Sequence, residues 1–155
     1  MDTTLLIVKP DGVQRGLVGE IVGRFERKGL HLVGMKMMTI SPELAAEHYK
    51  DHAEKPFYGG LVRFMTSSPV VAFAVRGVGA IGICRKMMGA TFGPNAEPGT
   101  IRGDFGVSTS FNLIHGSDSP ESAERELGLF FGDGELQEWA PANLGWHYDA
   151  AEELA

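Results

Sequence analysis

Four short apolar runs, each set off from the next by segments with helical periodicity, restrict this chain to folds in which helices cover a small sheet. The runs span residues 3–8, 30–40, 70–75 and 111–115. After the first, Lys9-Pro10-Asp11-Gly12 predicts a turn and loop, because proline and glycine interrupt regular structure. Over 16–28, Leu17, Val18, Ile21, Val22 and Phe25 follow helical spacing, and Gly29 supplies a stop. Ser41-Pro42 is a cap followed by first-turn proline, opening helices predicted over 42–51 and 56–65. The second of these carries Phe57, Leu61, Phe64 and Met65 on one side. A helix over 79–88 ends at Gly89, and 90–110 reads as a long ordered loop of the kind that usually serves function. Ser119-Pro120-Glu121 starts a last helix reaching 131. The order β-α-β-αα-β-α-β-α predicts an α+β, ferredoxin-like sandwich, with a four-stranded antiparallel sheet covered by helices.

At 155 residues the chain fits one domain, spanning 1–155. Folding at that length removes about 70% of the accessible surface of the unfolded chain, enough for a core. No apolar run approaches the roughly 20 residues of a membrane span, so no membrane partner is expected. The start, Met1-Asp2-Thr3-Thr4, lacks the basic stretch of a signal peptide, and the single cysteine, Cys84, can form no intrachain disulfide. Both features lead to a cytoplasmic expectation. A net charge of -6 argues against a general nucleic-acid binder, which needs a basic surface. Nine acids against Arg125 alone follow residue 119, a pattern most simply read as a solvated face and tail.

The chain has no GxxxxGK[ST] phosphate loop, no GxGxxG, no GxSxG elbow and no zinc-type cysteine pairs. His48 and His52 stand four apart on a predicted helix, a spacing open to a metal pair, but no HExxH pattern supports it. His31 and His147 have no partner pattern and read as surface or structural residues. His115 differs in ending a short strand just before Gly116-Ser117-Asp118 and a capped helix, where reactive groups often lie. An imidazole is substantially neutral near physiological pH, as a nitrogen nucleophile requires. A well-bonded structural histidine is the competing reading at this stage. Glu126, two helical turns beyond Asp118, is placed where it could turn back toward the ring.

The run Asn112-Leu113-Ile114-His115-Gly116-Ser117-Asp118 resembles the NxxHGSD signature of nucleoside diphosphate kinases. Three further landmarks of that family occur in order: Thr4-Leu5-Leu6-Ile7-Val8-Lys9-Pro10-Asp11-Gly12, Arg85-Lys86-Met87-Met88-Gly89-Ala90-Thr91, and Pro98-Gly99-Thr100-Ile101-Arg102-Gly103-Asp104. The resemblance implies the ferredoxin-like fold and a ping-pong exchange of a terminal phosphate between nucleoside tri- and diphosphates, with His115 as phosphate carrier. It implies Lys9, Arg85 and Arg102 at the phosphates, Thr91 offering a hydroxyl, Asn112 facing the sugar, and Phe57 with Leu61 holding the base. Tyr49 would lie near phosphate and histidine, Ser117 near Glu126, and Glu126 against the imidazole. Stacking reads no base edge, so several bases should be accepted. Mg2+ is expected on the nucleotide phosphates, since nothing resembles a dedicated protein cage for it. The tail, 134–155, with Trp139 and Trp146, resembles that of hexameric relatives, which favours a hexamer over a tetramer.

Two departures bear on loop conformation and packing. The family often has proline two residues after the threonine matching Thr91, where this chain reads Thr91-Phe92-Gly93-Pro94, and Glu-Gly where Arg76-Gly77 stands. Two rival readings compete with the enzyme. A module binding single-stranded nucleic acid on its sheet would want RNP-like aromatics and a basic face, both missing here. An assembly protein retaining the fold with weak catalysis is disfavoured by intact His115, Lys9, Arg102 and Glu126.

Overall fold

In the computed structural model, which describes residues 1–154, the order of strands and principal helices agrees with the sequence pattern. Strand β1 spans Asp2–Val8, and instead of a plain turn it leads into a short helix, α1, Pro10–Gln14. The fixed φ of Pro10 suits the first turn of a helix as well as a bend, so Pro-Asp-Gly starts a helix here. Helix α2, Val18–Lys28, begins two residues later than the periodicity implied and ends at Gly29, whose φ of 106° is left-handed. Strand β2, His31–Met38, precedes α3, Pro42–His48, where the Ser41 hydroxyl accepts from the Leu44 amide. The predicted extension of α3 to residue 51 fails at Tyr49, and a 3-10 turn, Lys50–His52, follows. Helix α4, Tyr58–Thr66, β3, Val70–Gly77, and α5, Ala80–Met88, come next.

The segment read as a loop over 90–110 contains a 3-10 turn, Gly93–Asn95, and a helix, α6, Ile101–Phe105. Thr100 caps α6 by accepting from the Gly103 amide at 3.0 Å. Gly103 hides this helix from a propensity reading, yet a Cβ there would collide with the Glu97 carbonyl. Strand β4 is only Ile114–Gly116, shorter than the run 111–115, because Leu113 takes a φ of 72° and breaks the extended path. Helix α7, Pro120–Phe130, is capped by Ser119, which accepts from the Ser122 amide at 3.1 Å.

The strands lie in the order β2-β3-β1-β4 and every pairing is antiparallel, which is the ferredoxin-like arrangement. Alternation along β1 serves two cores. Leu6 and Val8 pack with Ile21, Phe25, Cys84 and Ile101 on the α2 and α5 side, while Leu5 and Ile7 pack with Ala45, Met65 and Phe130 under α3, α4 and α7. Beyond α7 the tail crosses the edge strand: the Gln137 amide donates to Val33 O at 2.7 Å, and Trp139 Nε1 to Leu32 O at 2.8 Å. No helix among the described residues is long and apolar enough to cross a membrane.

Candidate active site

His115 pairs with Ile7 across the β1–β4 ladder, so its side chain leaves the sheet on the same face as Ile7 and, two residues on, Lys9. Helix α7 covers that face and presents the buried Glu126, 4% exposed, to the ring. Nε2 of His115 is in a short hydrogen bond with Glu126 Oε1, and the Ser117 hydroxyl donates to the same carboxylate oxygen at 3.4 Å. Among the described residues, Nδ1 of His115 has no hydrogen-bond partner. The ring is therefore held at one nitrogen and left free at the other.

The backbone carrying His115 is clasped to the end of β1. The Lys9 amide donates to Leu113 O at 2.8 Å, and the Leu113 amide donates to Asp11 Oδ2 at 3.1 Å. Gly116 lets β4 lie close to α5, since a Cβ there would stand 2.5 Å from Met88 Sδ and 3.0 Å from Leu6 Cδ2.

Three cations gather near this strand in an otherwise acidic chain. Lys9 Nζ donates to Asn112 Oδ1 at 2.7 Å. Burial of the ammonium, with repulsion from Arg102, lowers its pKa to about 8, against a smaller opposing pull from Asp11. Arg102 is buried and donates to three backbone carbonyls: Asn112 at 3.1 Å, Gly89 at 3.2 Å and Ile114 at 2.6 Å. Burial, and then Arg85, bring its pKa down to about 10, so it stays charged near neutral pH. Arg85 donates to the Gly116 carbonyl at 3.3 Å, its one hydrogen bond among the described residues.

Two adjoining depressions flank this centre. One, of about 310 Å³, is polar and is lined by Tyr49, Arg85, His115 and Glu126 together with His48 and Asp118. Tyr49 is buried with its hydroxyl unpartnered, and desolvation, then Glu126, raise its pKa. The other, of about 680 Å³, is an apolar cleft walled by Phe57 and Leu61 on one side and by Thr91, Phe92 and Phe111 on the other. Phe64 and Phe111 stack across it with centroids 4.8 Å apart. Asn112 joins the two regions, because its Nδ2 donates to Thr91 O at 2.9 Å while its Oδ1 takes Lys9.

All the residues that the resemblance places at the nucleotide thus fall at one of these two depressions or on hydrogen bonds that reach them. Thr91 enters those bonds through its backbone carbonyl, and Arg102 is heavily engaged with backbone. The sequence alone assigns no role to Asp11, Phe92 or Phe111, and it offers His48 only as a candidate metal partner of His52. Aromatic residues on a glycine-bearing loop were the available signal for Phe92. Nothing local in the chain reveals that its loop meets residue 111. The helical spacing that left a His48–His52 pair open is not realised: the helix ends after His48, and that imidazole instead lies beside His115, with ring centroids 5.0 Å apart. Burial, helped by His115 and Arg125, depresses its pKa to about 3.

Comparison with known proteins agrees over the same length. A family model described as nucleoside diphosphate kinase matches residues 2–136. A nucleoside diphosphate kinase of Crocosphaera subtropica is 57% identical over 149 residues, covering 96% of this chain and 100% of the relative. One from Archaeoglobus fulgidus is 55% identical, with 96% and 99% covered. The structure of a halophilic nucleoside diphosphate kinase from Halobacterium salinarum in complex with CDP superposes with a TM-score of 0.93 at 52% identity, covering 95% of this chain and 98% of that one. A transition state mimic of the Borrelia burgdorferi enzyme with bound vanadate and ADP gives 0.90 at 40% identity, covering 95% and 96%. Sheet order, the seat of His115 and these similarities converge: the chain belongs to the nucleoside diphosphate kinase family of phosphotransferases.

Proposed function

We propose that this chain moves the γ-phosphate of a nucleoside triphosphate to a nucleoside diphosphate in two half-reactions through a phosphohistidine at His115. The observation that carries the reading is the imidazole held by Glu126 at Nε2 with Nδ1 unpaired. In the first half-reaction the Nδ1 lone pair attacks the γ-phosphorus, and the bond to the β–γ bridging oxygen breaks, releasing the diphosphate. In the second, a β-phosphate oxygen of another diphosphate attacks the phosphohistidine and the N–P bond breaks. Phosphoryl transfer depends on in-line placement and neutralised oxygen charge more than on new covalent chemistry.

Glu126 accepts from Nε2–H and so stabilises the positive charge that the ring develops on phosphorylation, while Ser117 holds the carboxylate in line. Lys9, Arg85 and the N–H groups Arg102 has left would receive phosphate oxygens, and Tyr49 borders the same cavity. Phe57 and Leu61, with Phe92 and Phe111, would sandwich the base without reading its edges, leaving Asn112 and Thr91 at the sugar and phosphate. The donors near His115 do not fit Mg2+: the one metal-capable group among the described residues is two imidazoles and a carboxylate, and Mg2+ wants oxygen ligands in an octahedron. Mg2+ would therefore arrive with the nucleotide as part of the substrate, where it would neutralise phosphate charge.

A homo-oligomer accompanies this reading, a hexamer in preference to a tetramer. It is supported by the exposed Met35 and Met37 on edge strand β2, and by Val107 and Trp146, each about nine-tenths exposed at 90% and 91%. A cytoplasmic setting fits the lone, buried Cys84. The mechanism is tested by incubating the protein with γ-labelled ATP and Mg2+. An acid-labile, base-stable protein phosphate that a nucleoside diphosphate discharges is expected. Absence of label, or label persisting in His115→Ala, would sink the mechanism.

A further inference from the structure

His48 has no part in the mechanism above, yet it is 5% exposed and both of its ring nitrogens are buried without a hydrogen-bond partner. Leaving a polar ring unpaired in the interior is costly, so the arrangement needs a compensating role. His48, His115 and Glu126 each offer one ligand atom, and those atoms lie within 4.8 Å of one another. The cavity of about 310 Å³ touches all three, giving an ion a path in and room for a water. The Ser117 hydroxyl already orients the carboxylate, as outer partners do in metal sites.

We propose that His48, His115 and Glu126 form an inhibitory site for a borderline-soft divalent transition-metal ion, with Zn2+ as the type case. Two imidazoles and one carboxylate with an open fourth position are a ligand set that zinc accepts. The Mg2+ that accompanies nucleotides competes poorly there, because imidazole suits zinc, copper and nickel while Mg2+ keeps to oxygen. Small closures of side chains that face one cavity bring the donors to bonding distance. The inhibitory half rests on His115 Nδ1 being the nucleophile. When the metal takes Nε2 of the neutral ring, the proton formerly on Nε2 and shared with Glu126 passes to Nδ1, the metal-bound ring stays neutral, and the Nδ1 lone pair is consumed by the N–H bond. Attack on phosphorus then stops.

The test uses the full-length protein, freed of metal and nucleotide, in excess Mg2+. Equilibrium dialysis should find a single Zn2+ per chain, and Co2+ in its place should give the intense visible absorption of a tetrahedral centre. His48→Gln should weaken Zn2+ binding by at least about tenfold, the scale on which metal sites respond to altered partners. His48→Asn provides a second variant, and far-UV circular dichroism identifies which variants are folded. In the same samples Zn2+ should suppress labelling of the unaltered protein by γ-labelled ATP, and that suppression should shift to higher Zn2+ in the variants. No Zn2+ bound in Mg2+, a weakly absorbing octahedral Co2+ spectrum, or equal affinity in folded His48 variants overturns the site. Full labelling at saturating Zn2+ overturns the inhibition. A His48-dependent zinc site in a protein that forms no phosphoenzyme even without zinc supports the site while sinking the nucleophile reading, so the two failures are distinguishable.

Discussion

Lys9 is the residue at which folding and function pull apart. Its ammonium sits inside the protein beside Arg102, and its pKa falls from 10.5 to about 8. For a lysine lowered in this way the unfolded chain binds more protons than the native one between those values, so the stability attributable to Lys9 rises with pH across that window. Below it, the charge is a strain that the fold tolerates. The phosphate binding proposed for Lys9, in contrast, needs the charge. The expected outcome is a kcat/KM for the nucleoside triphosphate that declines as pH rises through about 8, and a Lys9→Met variant that has lost this limb along with most of its activity. Thermal unfolding of that variant near neutral pH should give a higher Tm than the unaltered protein. A lower Tm would mean that the bond to Asn112 outweighs the desolvation of the ammonium. His115 itself was recognisable from the Asn112-to-Asp118 run, but its control by Glu126 was only a possibility in the chain, because two helical turns fix a reach and not a direction.

At the scale of elements, a three-residue strand has to present His115, and short pairing alone does not hold it. The left-handed Leu113 immediately before it is tied down by Asp11 through its amide and by Lys9 through its carbonyl. A non-glycine residue in that region costs about 1 kcal/mol or more, and the neighbouring bonds must offset it. Asp11→Ala should therefore lower unfolding free energy by about 1–3 kcal/mol, measured by urea denaturation, because a part-buried amide loses its acceptor. Its kcat should fall more than its KM rises, since His115, the proposed nucleophile, is displaced while the apolar cleft stays intact. Gly116→Ala should be worse, as the added methyl meets Met88 and Leu6 in the core. The main elements were legible because their apolar spacing and caps were strong, as at Ser41 and Ser119. What escaped was local and short: α1 because proline and glycine suit either a turn or a first helical turn, α6 because Gly103 masks it, and the true start of β4 because a positive φ at leucine has no sequence signature.

At the scale of the molecule, the tail acts as a strap over the β2 edge. Gln137 and Trp139 bond to β2, Arg76 makes two hydrogen bonds to Glu138 at 3.0 and 3.1 Å, and the Tyr148 hydroxyl accepts from the Val78 amide. Part of this strap stands where the family often has Glu-Gly, since Arg76 is the residue that grips Glu138. Removing residues 134–155 should lower Tm and yield smaller assemblies by light scattering; an unchanged mass would separate the tail from assembly. Arg76→Ala alone should cost little, about 0–1 kcal/mol, because Glu138 is well exposed. Phe57 and Leu61 led to the expectation of base tolerance, but the full cleft required two distant loops to bring Phe92 and Phe111 together, which no reading of spacing could supply.

The side chain of Asn112 has another consequence. Its oxygen is committed to Lys9 and its nitrogen to the Thr91 carbonyl, so any ligand hydroxyl that draws on this amide alters the lysine as well. A substrate differing only at its sugar would then be felt at its last phosphate, and ribose and deoxyribose nucleotides should differ in turnover rather than only in how tightly they are held.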